Sequence, residues 1–292
     1  MATKLWLGDD AGNEGDWGVA ANWSPAGVPV NADDVILENS EQDVSGTLDQ
    51  SAVSLDSLRI DQSFLGLIGT AAAYLQIGAS VVTVGLIDGP GTPAGSGRIK
   101  LNLGAVASEV TILRSSNSQE DANLAPIRLL LNNAASNIYA RSGNIGISVE
   151  AGEVSVINDL EVSHVDGHSQ EPTVVVGTGV TMGDLAQHGG DVTLLCAAVA
   201  ITKHLGTLRT EGSGTITSLA QYDGAAVLNN VGAIAALDMH GGTVDLTENR
   251  EARTITTPKI WPGAEISYDP AVITFTNPLA AQVPVKLVAS DV

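Results

Sequence analysis

The sequence predicts an all-β protein, a parallel β-helix or β-solenoid, on three observations. Short apolar segments recur along the 292 residues with no long helical stripe among them. Glycine is abundant, at 32 residues, while aromatic residues make up only 3%. Glycine suits tight corners, and Ala, Val and Thr suit strands in a narrow interior. Third, a unit echoes itself between residues 180 and 247. An antiparallel β-sandwich is the alternative fold, because short strands separated by turns are its signature too.

The elements follow in order. Residues 1–50 form an opening with Trp6, Trp17 and Trp23 among Gly8, Gly12, Gly15, Gly18, Pro25, Gly27 and Pro29, ahead of the short strand Val35-Ile36-Leu37. Large flat rings can close the open end of a solenoid, so this stretch is expected to be an N-terminal cap. A platform for sugars is the other use of such rings. Residues 51–249 are the solenoid body. Its early strands are Leu55–Ile60, Tyr74–Ile77, Val81–Val84 and Arg98–Leu103, the last with strict alternation. Gly89–Gly97 is a loop by composition, and a subunit contact is its sharper use. Ser115–Pro126 is a second polar loop. Strands resume at Ile127–Leu131, and alternation returns at Ile145, Ile147 and Val149, then at Val154, Val156 and Leu160.

The repeating units begin at Val180, Ile201, Ile216 and Ile234, spaced 21, 15 and 18 residues apart. Each has an apolar residue, a second a few places on, a Gly-containing corner and an alternating strand. One unit cannot hide its apolar side alone, so stacking into a coil is the economical solution. Residues 250–292 are read as a closing β cap or an oligomer contact, with Trp261 supplying bulk and Pro278 and Pro284 protecting an edge.

Composition excludes several functions. Thirteen basic against 33 acidic residues give a formal charge of -20. Phosphate backbones need concentrated Lys and Arg, so no direct nucleic-acid binding is expected. The same charge opposes docking on an anionic membrane, and no apolar stretch approaches the ~20 residues of a membrane span. Cys196, the only cysteine, permits no intrachain disulfide and reads as a buried strand residue. The N-terminus has no leader pattern, which points to synthesis in a cytoplasm.

The chemistry-bearing residues are few. Asp184, His188 and Asp191 flank a Gly-Gly corner, and His164, Asp166 and His168 form a second small group. The next units do not repeat these acids in a column, so solvated corners are the reading. His188, Tyr222 and His240 hold equivalent corner positions, which points to a structural column rather than a metal site. No phosphate-binding Lys follows a glycine loop, and no nucleophile elbow has its strand-to-helix context. The expectation is therefore no catalytic residue, no cofactor, no metal and no enzyme.

One resemblance adds to this. Trp6-Leu7-Gly8, Gly15-Asp16-Trp17, Ala21-Asn22-Trp23-Ser24, Pro29 and Asp33-Asp34-Val35-Ile36 together resemble the start of β-solenoid modules in bacterial autotransporter-like proteins and in structural proteins of tailed bacteriophages. The resemblance covers about 40 residues and implies a solenoid cap. Without an export signal, a virion component fits better than a bacterial surface protein. The function it implies is a capsid decoration or cement protein, on the outer capsid surface, bound to the major capsid protein as a homotrimer. A polysaccharide-binding or polysaccharide-degrading tailspike-like β-helix is the alternative.

Overall fold

A computed structural model describes residues 2–85, 95–114, 125–164 and 170–279, together with the backbone of 286–287. Most of the Gly89–Gly97 loop, the polar stretch from Ser115, Asp166, His168 and Pro284 lie outside the described residues.

The chain is a parallel β-solenoid. Each strand pairs with the strand one coil before it and one coil after it, in parallel. The antiparallel sandwich is thereby ruled out. Among the described residues the one antiparallel pair joins Thr3–Trp6 to Trp23–Ser24, at the N-terminal end.

In the repeating region a coil has three runs. Val180–Gln187 shows why. Val180 and Met182 point inward, then Leu185 and Gln187 do, so the inward phase slips by one residue near Gly183 and the strand bends. After a Gly-containing corner, Asp191–Leu194 forms the third run. The register advances 16, 18, 18 and 21 residues through Met182, Ala198, Ile216, Ile234 and Ile255. The unit expected to begin at Ile201 actually begins at Ala198. Ile201 stacks on Leu185 in the second run, and the small, weakly apolar Ala198 hid the true start.

The interior consists of stacked apolar columns. Leu160, Leu185, Ile201, Leu219 and Leu237 form one, and Val174, Val192, Leu208, Ala226, Val244 and Ile266 another. Each large aliphatic side chain so buried contributes roughly 1.5–3 kcal/mol. The alternation through Val154 and Val156 predicts that these two face in, yet Val154 is 68% exposed and Ser155 and Ile157 face in. The Ser155 hydroxyl accepts from the Leu131 amide at 3.1 Å and lies 2.6 Å from the Ser148 hydroxyl, so a paired serine holds the interior position.

The N-terminal end is closed by indoles. Trp6, Trp17 and Trp23 are buried, with edge-to-face centroid distances of 5.0 and 4.6 Å about Trp23. Their burial removes the sugar-platform reading. Asn22 ties the loop above them. Its side chain accepts from the Asp10 amide and donates to the carbonyls of Asn13 and Asp16. Towards the other end the parallel register runs on through Arg253–Ile260, Ala264–Tyr268 and Ile273–Phe275. Cys196 is buried as expected, but at a bend after its strand, and burial pushes its thiol up to about 11.

Candidate functional site

The most ordered surface feature is an aromatic column along one corner. His188, His204, Tyr222, His240 and Trp261 each follow the last residue of a second-run strand. Their backbone amides donate to the coil before, from His204 to Gln187 at 2.7 Å, Tyr222 to Lys203 at 2.8 Å and His240 to Gln221 at 2.7 Å. The rings therefore repeat at the coil spacing. Successive centroids lie 4.8, 4.8, 4.7 and 5.5 Å apart, with interplanar angles of 15° or less. The stack presents ring edges outward, because each inner ring has its faces covered by neighbours.

The expected column of His188, Tyr222 and His240 is thus present, and His204 and Trp261 belong to it as well. His204 is not marked in the sequence, because the small Ala198 that opens its unit carries no strong apolar signal. Trp261 is 51% exposed and stacks on His240, so it closes no end of the coil. Its indole N–H donates to Asp238 at 2.8 Å, and His240 Nε2 lies 3.4 Å from the same carboxylate oxygen.

Beneath this column runs a buried polar ladder. Gln187, Lys203 and Gln221 stack in register, and none of them has exposed surface. Gln187 donates to the carbonyls of Gly190 and Thr207, both at 2.9 Å. Lys203 donates to Gly206 at 2.7 Å and Asp223 at 2.9 Å. Gln221 donates to Gly224 and Thr243. Each side chain adds a second donor to a corner carbonyl, Gly190, Gly206 or Gly224, that already accepts the next coil's backbone amide, and so ties the corner to the coil above. The corners themselves turn on Gly190, Gly206, Gly224 and Gly242, all with φ between 70 and 80°. A Cβ on Gly206 would sit 2.1 Å from the Gly190 oxygen, so the corner needs glycine for space as well as for backbone sign. Desolvation pulls the Lys203 ammonium down to about 8, with only the Asp223 charge opposing it.

A second cluster lies on the third run, in earlier coils. Lys100 and Arg128 are in register on the outward phase of their strands, yet both are buried. Glu150 closes over them, with one carboxylate oxygen 2.8 Å from each cation. The Tyr74 ring packs 4.4 Å from the Lys100 ammonium. Burial disfavours the Glu150 carboxylate, but the hydrogen bonds from Lys100 and Arg128 outweigh it and hold the group below its ordinary range. Burial, with Glu153 and Glu150 alongside, drives the Tyr74 phenol far up. Lys100, Arg128 and Glu150 are committed to partners and Lys100 has no exposed surface, so the cluster acts as a clamp on the coil.

The acidic candidates do not converge. Asp184 projects from the second run and Asp191 from the third, on either side of the Gly189-Gly190 corner, and both are exposed. His164 lies beside Gly189, while its expected companions Asp166 and His168 lie outside the described residues. Among the described residues no three His, Cys, Asp or Glu side chains gather as metal ligands, and no helix is long and apolar enough to cross a membrane. One open groove of about 310 Å³ is lined by Ser51, Ser54, Gln76 and Asn102 beside the apolar Ile77, Leu103 and Val106, where a bulge interrupts the pairing between Gln50 and Ser54.

Charge is segregated. Of the 13 basic residues, Lys4, Arg98, Lys100, Arg128, Lys203 and Arg253 are buried. Arg59, Arg141 and Arg209 are ion-paired with glutamates on the surface. Among the described acidic residues only Asp33 is buried. The chain matches no family model, no curated protein and no solved structure. Its fold is nevertheless plain: a capped parallel β-solenoid with six of its thirteen cations turned inward and, among the described residues, every anion but Asp33 outward.

Proposed function

We propose that this protein is a non-enzymatic structural component of a tailed-phage particle, a capsid decoration or cement protein bound to the major capsid protein. The observation that carries the reading is the charge segregation. A continuous backbone ladder gives a stiff body, and the buried cations leave an acidic exterior suited to a partner with basic patches. The resemblance of the Trp-rich opening to solenoid modules of phage structural proteins supports the same assignment. Assembly as a homotrimer belongs to this proposal.

The test is co-sedimentation of the purified chain with undecorated phage heads at low and high salt. Binding that saturates and weakens with salt, and that raises the temperature at which heads release DNA, is the expected result. Heads that never retain the protein would refute it. A glycan-binding role is the second reading, favoured by the groove in which Ser51, Ser54, Gln76 and Asn102 offer polar groups beside the apolar Ile77, Leu103 and Val106. Depolymerisation or retention of a host polysaccharide without head binding would establish that reading instead.

A further inference from the structure

We infer that His188 and His204 form a two-imidazole site for a borderline transition-metal dication, copper(II), nickel(II) or zinc(II), clipping two successive coils together. The pair arises from register. Gln187 is the in-register partner of Lys203, so the next residue of each strand puts two imidazoles one coil apart on the same corner. His188 is exposed and His204 half-buried, so ring edges reach solvent. The contacts that position them are ring on ring, with centroids 4.8 Å apart and planes within 15°.

That separation is the decisive quantity. With a metal–nitrogen distance of about 2.0–2.1 Å, two imidazoles sharing one ion have centroids about 4.5 Å apart at a right-angled N–metal–N and about 5.2 Å apart at a tetrahedral one. The 4.8 Å spacing lies between these values. Stacked within 15°, the rings do not yet aim their nitrogens at a common point, so ligation needs each ring to turn about its Cβ–Cγ bond and His204 to give up its stacking on Tyr222. Imidazole suits these three metals, and water completes the shell. His240 is excluded, because Tyr222 stands between it and His204 and because Asp238 faces its Nε2.

The experiment uses the full chain titrated calorimetrically with copper(II), nickel(II) and zinc(II) chlorides, in excess magnesium chloride to occupy weak carboxylate sites. One equivalent should bind, and His188→Gln and His204→Gln should each weaken it at least tenfold, while His240→Gln leaves it unchanged. Electron paramagnetic resonance of the copper(II)-loaded wild type should show two equatorial nitrogens, which keeps the test decisive if a variant folds poorly. An all-oxygen copper spectrum, or binding indifferent to His188→Gln and His204→Gln, would overturn the site.

Discussion

Replacing Lys203 by glutamine should stabilise the protein at neutral pH, although it removes a buried side chain that makes two hydrogen bonds. The reason lies in desolvation. Lys203 titrates at about 8 in the folded chain against 10.5 for a free lysine. The folded state thus holds its proton less tightly, by about 2.5 pH units, or about 3 kcal/mol at pH values below both. Between pH 8 and 10.5 the unfolded chain binds more proton than the folded one, so wild-type stability rises with pH across that window. Below pH 8 the full penalty applies, and above 10.5 it vanishes. Glutamine carries no charge, and Gln187 and Gln221 already fill the same position one coil to either side, donating to equivalent corner carbonyls. Denaturant melts of wild type and Lys203→Gln at pH 7, 9 and 10 would measure the effect. The expected gain is up to about 3 kcal/mol at pH 7, shrinking as pH rises. A variant less stable than wild type at pH 7, or a difference that ignores pH, would refute the reasoning.

Other perturbations probe the remaining parts. Glu150→Gln leaves the Lys100 charge buried without its counterion and should lose about 3 kcal/mol by denaturant melts; in the wild type the Glu150 contribution is present above the free-carboxyl pKa and is lost as pH falls through its lowered folded value. Gly206→Ala meets the Gly190 carbonyl and should cost more than about 2 kcal/mol, whereas Gly152→Ala, with φ 84° but open space, should cost about 1 kcal/mol by thermal melts. Trp23→Ala removes the central ring of the indole cap and should cost about 3–5 kcal/mol, with hydrogen exchange accelerating first in residues 2–37.

How far the sequence reaches is clear at particular residues. Short apolar runs such as Val81–Val84 and Ile127–Leu131 announce strands, and the glycines at 190, 224 and 242 announce corners, because both signals are local. Trp6, Trp17 and Trp23 announce the cap, since rings gathered in so few residues need a common burial site. Register is less legible. Ala198 is too small to mark a coil start, so the apolar pattern places that unit three residues late and leaves His204 out of the column. Polar interior positions are less legible still. Gln187, Lys203 and Gln221 face inward to bridge corner carbonyls of two successive coils, and Ser155 to accept the Leu131 amide, partners that only the neighbouring coil brings within reach. Lys100 and Arg128 alternate as solvent-facing residues should, yet Glu150, 50 and 22 residues away in the chain, covers both.

The in-register parallel stacking can be read directly from methyl–methyl nuclear Overhauser effects in selectively labelled protein. Leu219 should show cross-peaks to Ile201 on one side and Leu237 on the other, with Leu185 next beyond Ile201. Leu219 methyls that instead contact residues of a strand running the opposite way would contradict the coil itself.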